Sequence, residues 1–378
     1  MKEWHKKFLL LSMSVLVSFL ILETAVRFLS PTSANYLTRS DPYIQKIYHP
    51  NLDFYDEVEE TPPNGENKKP QIKTNSLGFV GDEWEREKKG FRIANLGDSY
   101  TAGLAVDYDK NFAALLGKNL TEKLGRPVES LNFGVQKQST AHALETYIHY
   151  VRGFDPDLVI LWFDLGNDFA ENLTYFKDIR SEDEKPVWKR IARKSEFLYF
   201  LIIKLDQMSW LKPIVRGTVL SEEYKLRPQE AGDAPIILRV PFTETKDNLE
   251  AIAKTRLYLK KLRDEISADE KKLLVAVFPQ GFQVDKFARE ALFEAYPALK
   301  AEDSEFEVEK SRKEVIKILK DLSISYVDLT PDFSHACKEK CDLYNRCTLC
   351  HFSTVGHGFT SEIVKDFILK NDFIMKQN

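Results

Sequence analysis

The chain has 378 residues, of which 43% are hydrophobic and 30% are charged, so it is long enough and apolar enough to bury a substantial core. This composition excludes a wholly disordered protein. The formal net charge of −4, together with the lack of any Lys/Arg cluster among aromatic residues, argues against a nucleic-acid partner.

The N-terminus predicts a membrane anchor. Lysines within the first seven residues precede an uncharged apolar run over residues 8–22. A span needs about 20 residues, and residues 24–29 extend the run if Arg27 reaches the interface. No small-residue cleavage site follows closely, so the pattern favours an uncleaved signal anchor over residues 1–29. We expect a single-pass protein of the cell membrane, with the lysines inside and the folded domain extracytoplasmic (periplasmic).

A polar connector is predicted after the anchor, over residues 30–76. Residues 56–76 contain Pro, Gly, Asn and many charged side chains, a composition that is typical of loops rather than of a buried core. We therefore expect the folded domain to begin near Leu77 and to extend over residues 77–378.

Short apolar runs rich in β-branched and aromatic residues predict buried strands at 91–96, 128–133, 158–163, 273–278 and 325–329. Segments with helical spacing alternate with them, at 111–124, 139–151, 248–266, 309–322 and 354–369. Parallel strands need crossovers, which are usually helices, so the alternation predicts an α/β fold with a parallel sheet covered by helices on both faces. Active residues are then expected directly after the strands.

A long interruption separates the third and fourth predicted strands. Residues 169–247 exceed the length of a plain crossover and indicate an insertion or cap. Its apolar run at 197–203 favours core packing over a contact with an acyl chain or a membrane.

The first predicted strand ends in the sequence NLGDSYTAG, which places Ser99 in the turn before a helix. A serine there has its hydroxyl at the carboxyl end of a strand, beside backbone N–H groups that can stabilise a developing oxyanion. Taken alone, the motif is equally typical of a helix cap.

Four ordered blocks resemble the GDSL, or SGNH, family of serine esterases and lipases. They are LGDSYTAG around Ser99, Asn132-Phe133-Gly134, Asn167-Asp168, and His351 with Gly356-His357. The segment upstream of the first block also resembles that of membrane-anchored bacterial members, and the resemblance continues to the end of the chain apart from the central insertion.

The resemblance implies a three-layer, flavodoxin-like fold and a serine hydrolase that needs no cofactor or metal. Ser99 corresponds to the nucleophile and His351 to the general base, while the oxyanion hole is formed by the backbone N–H groups of Ser99 and Gly134 and the side-chain amide of Asn167. The expected substrates are carboxylic esters, such as acetyl or other short acyl groups on envelope glycans, or acyl lipids. Transfer of the acyl group to another sugar is equally compatible with the same intermediate.

The sequence departs from the family pattern most clearly at the catalytic acid. The family usually carries an aspartate two or three residues before the histidine, but Leu349 and Thr348 occupy those positions. Three alternatives stay open: a Ser-His dyad oriented by a backbone carbonyl, which we favour; Asp342 reaching in from the cysteine-rich loop; or an inactive protein that serves as a binding module.

The cysteines supply a rival interpretation of the same histidine. Cys347-x-x-Cys350-His351 matches the attachment pattern of a c-type haem. Haem would use His351 as an iron ligand and leave Ser99 without a base, so the hydrolase is favoured.

Outside the cytoplasm, two disulfides are expected among the four cysteines, Cys337, Cys341, Cys347 and Cys350, and their pairing is left open. Disulfides are favoured over a zinc site. We expect them to hold the loop of His351 in place of the missing acid.

The other histidines outside the N-terminal segment match no catalytic position. His142 and His149 are expected on a surface helix, while His335 and His357 are expected in a loop or at a helix terminus.

Overall fold

A computed structural model describes residues 3–29, 37–55, 60, 62–63, 69–183, 197, 236–300, 306–346 and 351–374. The chain divides into two compact units, one of residues 1–37 and 177–230 and one of residues 38–176 and 231–378.

The smaller unit contains helix α1, Glu3–Leu29. Its segment Glu3–Val26 has a mean hydropathy of 2.2 and is long and apolar enough to cross a membrane, a property that a signal sequence near an N-terminus shares. Within the same unit the backbone N–H of Phe197 donates to Glu23 over 3.0 Å. The rest of the predicted apolar run, 198–203, lies outside the described residues.

The larger unit contains the remaining regular elements, except for residues 177–183 at the end of α5, which belong to the smaller unit. Its strands are β1 Thr38–Asp41, β2 Gln45–Tyr48, β3 Asp53–Tyr55, β4 Gln71–Lys73, β5 Phe91–Leu96, β6 Val128–Asn132, β7 Leu158–Asp164, β8 Lys272–Phe278 and β9 Ser325–Asp328. Its α-helices begin with α2 Ser99–Ala102, α3 Phe112–Leu124, α4 Thr140–Thr146, α5 Asp168–Asp183, α6 Ile236–Arg239 and α7 Lys246–Ala268. They continue with α8 Gly281–Val284, α9 Lys286–Ala295, α10 Lys310–Asp321, α11 Thr330–Ala336 and α12 Thr354–Lys370.

Five strands form one parallel sheet in the order β6-β5-β7-β8-β9. The predicted strand runs are confirmed to within one residue at each end. From β5 the chain first adds β6 on one side and then β7, β8 and β9 on the other side. The boundary between β5 and β7 is therefore the topological switch point, where ligands bind in flavodoxin-like folds.

Helices cover the sheet on two faces, as the alternation predicts. Helices α3 and α12 contact each other, while α4 packs against β7 and α7, and α10 packs against β9. Along β7, Ile160 and Trp162 belong to the core cluster that includes residues of α3 and α12, and the alternate residues Val159 and Leu161 are equally buried. Because β7 is buried on both faces, its sequence is a continuous apolar run rather than an alternating one.

The interpretation of residues 30–76 as a polar connector is wrong for its described part. Strands β1 and β2 form one antiparallel pair there, and β3 and β4 form another. Tyr48 and Ile72 are buried in the core. The compact unit therefore begins at Thr38 rather than near Leu77. The sequence did not reveal these strands because strands of three or four residues hold too few apolar side chains to give a period-two pattern.

Candidate active site

Ser99 lies at the carboxyl end of β5, as the motif predicts. It is the first residue of the short helix α2, and Asp98 caps that helix by accepting a hydrogen bond from the backbone N–H of Tyr100. The Ser99 side chain is partly exposed, while Asp98 and Tyr100 are buried. The cap therefore holds the nucleophile candidate at the surface of an otherwise buried turn.

His351 reaches Ser99 from a point 252 residues further along the chain. Its Nε2 lies 2.8 Å from Ser99 Oγ, and its ring packs against Tyr100 with 4.8 Å between the ring centroids. The backbone carbonyl of His351 accepts a hydrogen bond from the backbone N–H of Asn345 over 3.0 Å, which closes the loop that carries the histidine. The structure thus brings the predicted serine and histidine into hydrogen-bond contact.

The other ring nitrogen of His351 contacts Glu60, a residue that the sequence interpretation missed. Glu60 Oε1 lies 2.5 Å from His351 Nδ1. Its Oε2 accepts from the backbone N–H of His351 over 3.1 Å and from Asn345 Nδ2 over 3.0 Å. The group at Nδ1 is therefore neither a backbone carbonyl nor Asp342, whose carboxylate instead accepts from Lys340 in an exposed pair.

The charges around His351 favour its protonated form. Burial by itself lowers the pKa of His351, but the hydrogen bond and charge of Glu60, followed by the charge of Asp98, outweigh it and raise the pKa above the usual 6.5. Burial would raise the pKa of Glu60, but its hydrogen bonds with His351 and Asn345 lower it overall. Glu60 is therefore a carboxylate at neutral pH, suited to stabilise an imidazolium.

Gly134 lies against the helix that carries Ser99. The backbone beyond β6 follows β5, with the N–H of Val135 donating to the carbonyl of Gly97 over 3.1 Å. A Cβ on Gly134 would lie 2.4 Å from the backbone nitrogen of Ala102, so no larger residue fits without moving α2. The N–H of Gly134 donates to Asn132 Oδ1 over 2.9 Å, an acceptor within the protein.

Asn167 lies at the start of α5, beside the same turn. Its Nδ2 donates to Asp98 Oδ2 over 3.0 Å, and its Oδ1 has no hydrogen-bond partner among the described residues. Because an amide nitrogen carries two hydrogens, Asn167 retains one N–H that does not serve Asp98. The three residues that the resemblance assigns to an oxyanion hole, Ser99, Gly134 and Asn167, therefore all contact or form this turn.

Three buried carboxyl groups lie near the serine and histidine, and the sequence interpretation assigned no role to them. Burial, followed by the charge of Asp98, raises the pKa of Asp164 to about 8 and raises that of Asp168 well above its usual value. Burial also raises the pKa of Asp98, although the bond from Asn167 opposes it. Asp164 accepts from Gln280 Nε2 over 2.7 Å at both oxygens, and Tyr100 donates to Gln280 Oε1 over 3.2 Å.

Two of the remaining histidines are buried, which the sequence did not predict. His142 is buried rather than on the surface, and it caps α4 together with Ser139. His357 is fully buried in the first turn of α12, where its Nδ1 accepts from the backbone N–H of Phe112 over 3.1 Å. Burial lowers the pKa of both to about 3, so both are neutral. His149 is exposed, as expected, and stacks on Tyr43.

The cysteines are described only in part. Cys337 and Cys341 form a disulfide, while Cys347 and Cys350, on which the haem pattern depends, lie outside the described residues. An axial haem ligand needs a free ring nitrogen, and both nitrogens of His351 contact protein groups. The described geometry therefore favours the catalytic interpretation of His351 over the haem interpretation.

Comparison with known proteins gives matches among solved structures. No protein-family model matches the sequence, and no curated protein matches it. A lipolytic protein of the G-D-S-L family from Desulfitobacterium hafniense is 12% identical, with a TM-score of 0.40 over 73% of this chain and 99% of its own. A lipase/acylhydrolase from Enterococcus faecalis is 14% identical, with a TM-score of 0.42 over 76% of this chain and 100% of its own. A psychrotrophic esterase from Pseudoalteromonas is 11% identical, with a TM-score of 0.40 over 74% and 98%.

Proposed function

We propose that the protein is a serine hydrolase that cleaves carboxylic esters through an acyl-serine intermediate. The observation that carries this proposal is the 2.8 Å contact between Ser99 Oγ and His351 Nε2. A serine hydroxyl is a weak nucleophile until a base removes its proton, and a neutral imidazole at hydrogen-bond distance is such a base.

The contact supports a two-step reaction. As Ser99 Oγ attacks the ester carbonyl carbon, its proton passes to His351 Nε2, and the carbonyl π electrons move to the oxygen. When the tetrahedral intermediate collapses, the imidazolium gives that proton to the leaving alkoxide, and the acyl group stays on Ser99. Water then attacks the acyl-serine with His351 as base, which releases the carboxylic acid and restores the serine.

The oxyanion has candidate donors around the same turn. These are the backbone N–H of Ser99 at the start of α2, the N–H of Gly134, and the second amide hydrogen of Asn167. A donor that is already in place stabilises the developing charge without reorganisation, and losing one costs about 2.7 to 4 kcal/mol of transition-state stabilisation. The N–H of Gly134 donates to Asn132 Oδ1 in this structure. To stabilise the oxyanion, this N–H must turn toward the substrate or be shared between Asn132 Oδ1 and the oxyanion.

The expected substrates are acyl esters at a cell envelope. Helix α1 is long and apolar enough for a membrane anchor, which would keep the site near acylated glycans and lipids on the extracytoplasmic side. Acetyl or other short acyl groups fit this proposal, and an acceptor sugar in place of water would make the same intermediate an acyl transferase.

Labelling with a fluorophosphonate tests the proposal without a known substrate. The full chain in detergent is compared with Ser99→Ala and His351→Ala, and we expect both variants to lose labelling. Ser139→Ala is the matched control, because Ser139 Oγ also lies near a histidine, 3.2 Å from His142 Nδ1, but that pair is buried. A folded wild-type chain that is not labelled at Ser99 would refute the proposal.

A further inference from the structure

The segment before the central sheet delivers a carboxylate to the candidate active site. Glu60 lies 291 residues before His351 in the sequence and contacts it at two places, the ring Nδ1 and the backbone N–H. A third bond comes from Asn345 Nδ2. The Glu60 side chain is only 14% exposed, so these contacts are largely shielded from water.

We propose that Glu60 is the positioning residue that completes a Ser99-His351-Glu60 triad, in place of the aspartate that the local sequence before His351 lacks. This assignment rests on the proposed function. Glu60 does not contact the reacting atoms, because its partner is Nδ1 and the serine is on Nε2.

The geometry assigns Glu60 two effects on the imidazole. Its carboxylate accepts from Nδ1–H, so the neutral ring keeps its proton on Nδ1 and leaves the Nε2 lone pair facing Ser99. When Nε2 takes the serine proton, the neighbouring negative charge stabilises the imidazolium. A carboxylate in this position does not need to become protonated at any step.

The bonds to the His351 backbone and Asn345 allow a simpler alternative, in which Glu60 only fastens the loop. The two roles differ in what they do to the pH dependence. If Glu60 only holds the loop in place, its removal changes the fraction of folded protein. If Glu60 is a positioning carboxylate, its removal also changes the pKa of His351. Among the described residues, the ionisable groups around His351 are Glu60, Asp98, Asp164, Tyr100 and His357.

The sign of the expected shift follows from these groups. The active base is neutral His351, so the labelling rate rises with pH as the ring loses its proton. Glu60 raises the pKa of His351, so in the wild type this rise has its midpoint above 6.5. Removing the carboxylate by Glu60→Gln lowers the pKa, and the midpoint moves to lower pH.

Glu60→Gln should also lower the labelling rate at the high-pH plateau, where His351 is fully neutral. The new glutamine side chain can donate to Nδ1 and thereby favour the tautomer with the proton on Nε2, which cannot accept from serine. The equivalent acid-to-amide change in a Ser-His-Asp triad costs about 10⁴-fold, and we expect a loss of about 10³-fold or more here. Glu60→Ala leaves a space at Nδ1, so added formate should restore part of its rate, an effect that a purely structural role does not predict.

The experiment measures the second-order rate of fluorophosphonate labelling against pH for the full chain in detergent, with Glu60→Gln, Glu60→Ala and two controls. Glu83→Gln alters a carboxylate that accepts hydrogen bonds from the backbone N–H and the hydroxyl of Ser76, over 2.8 and 2.7 Å. This variant should leave the labelling rate and its pH midpoint unchanged. Tyr344→Phe removes the bond from the Tyr344 hydroxyl to the backbone carbonyl of Pro279, over 2.6 Å, a contact next to Asn345 that involves neither Glu60 nor His351, so it should lower thermal stability but leave the midpoint in place.

The outcomes separate this proposal from the proposed function. If the wild type and Glu83→Gln are labelled and Glu60→Gln keeps the wild-type rate or midpoint, the role of Glu60 is refuted while the hydrolase proposal stands. If the wild type itself is not labelled at Ser99, both fail. Should Glu60→Gln not fold, a wild-type midpoint at or below 6.5 would by itself overturn the assignment.

Discussion

Asn167 donates a hydrogen bond from Nδ2 to Oδ2 of Asp98 over 3.0 Å, which joins the ends of two neighbouring strands next to Ser99. The other carboxylate oxygen, Oδ1, accepts from the backbone N–H of Tyr100 over 2.9 Å. Both oxygens of Asp98 therefore act as acceptors. As a result, Asn167 must present its nitrogen rather than its oxygen to this side of the site, which is the orientation that an oxyanion donor needs.

Asp98→Asn should reverse the orientation of the Asn167 amide. The new asparagine side chain keeps one acceptor, which can still cap α2, but it turns an N–H₂ group toward Asn167. To accept from that group, Asn167 must place its Oδ1 where Nδ2 now lies. We expect a loss of labelling rate of about 10² to 10³-fold, the typical effect of losing one oxyanion donor.

The control for this variant is Asp285→Asn at the start of α9. Asp285 caps its helix through the same type of bond, accepting from the backbone N–H of Phe287 over 2.9 Å. Asp285→Asn should weaken the cap of α9 about as much as Asp98→Asn weakens the cap of α2, but it should have little effect on the labelling rate. Wild-type labelling of Asp98→Asn would show that Asp98 does not set the orientation of Asn167.

Gly134→Ala should impair the site through the backbone of α2. The added Cβ would lie 2.4 Å from the nitrogen of Ala102 and 2.6 Å from the carbonyl carbon of Thr101, so either α2 or the β6 end must move. Overpacking of this kind costs about 1 to 3 kcal/mol of folding free energy, and here it also displaces Ser99. We expect lower thermal stability and a large loss of fluorophosphonate labelling.

Gly358→Ala provides the opposite case in the same protein. Gly358 lies inside α12, and a Cβ there would meet nothing within 4 Å. Replacing glycine by alanine within a helix typically stabilises by about 0.5 to 1 kcal/mol, so this variant should melt at a higher temperature and label normally. Equal behaviour of the two variants would contradict the close approach at Gly134.

The sequence predicted the parts of the molecule that depend on local pattern. β7 and its neighbours are buried on both faces, so each appears as an apolar run with a sharp end. The residues directly after such runs, Ser99, Gly134 and Asn167, were therefore predictable at one edge of the sheet from the chain order of the runs. The parallel order itself followed from the alternation with helices.

Glu60 was not predictable in the same way. It follows Glu57 and Glu59 in a charged stretch, and nothing in its spacing distinguishes it from a solvated loop residue. Its contact with His351 crosses 291 residues and depends on how short strands between Thr38 and Lys73 fold against the sheet. The burial of His142 was missed for a related reason, since helical spacing alone does not say which face of α4 meets α7.

Asp164 gives the protein a stability that falls as the pH rises. Its pKa in the folded chain is about 8, because it is fully buried and lies near Asp98, whereas the ordinary value is 3.8. Between these values the folded state holds one proton that the unfolded state has lost. Linkage then lowers the free energy of unfolding by about 1.4 kcal/mol for each pH unit of increase, from this group alone.

Asp164→Asn should remove that slope, because an amide does not titrate. Near pH 5 we expect the variant to be less stable than the wild type, since Gln280 loses one acceptor, but the difference should shift in its favour by about 1.4 kcal/mol per unit up to about pH 7. Urea unfolding of the full chain in detergent, followed by tryptophan fluorescence, measures this. Asp269→Asn is the control: burial raises its pKa, but bonds from Tyr147 and Arg152 lower it overall, so Asp269 is charged in both states over this range and the difference should be constant. A constant difference for Asp164→Asn as well would mean that Asp164 is ionised in the folded protein, and that its buried charge is neutralised by groups other than a proton.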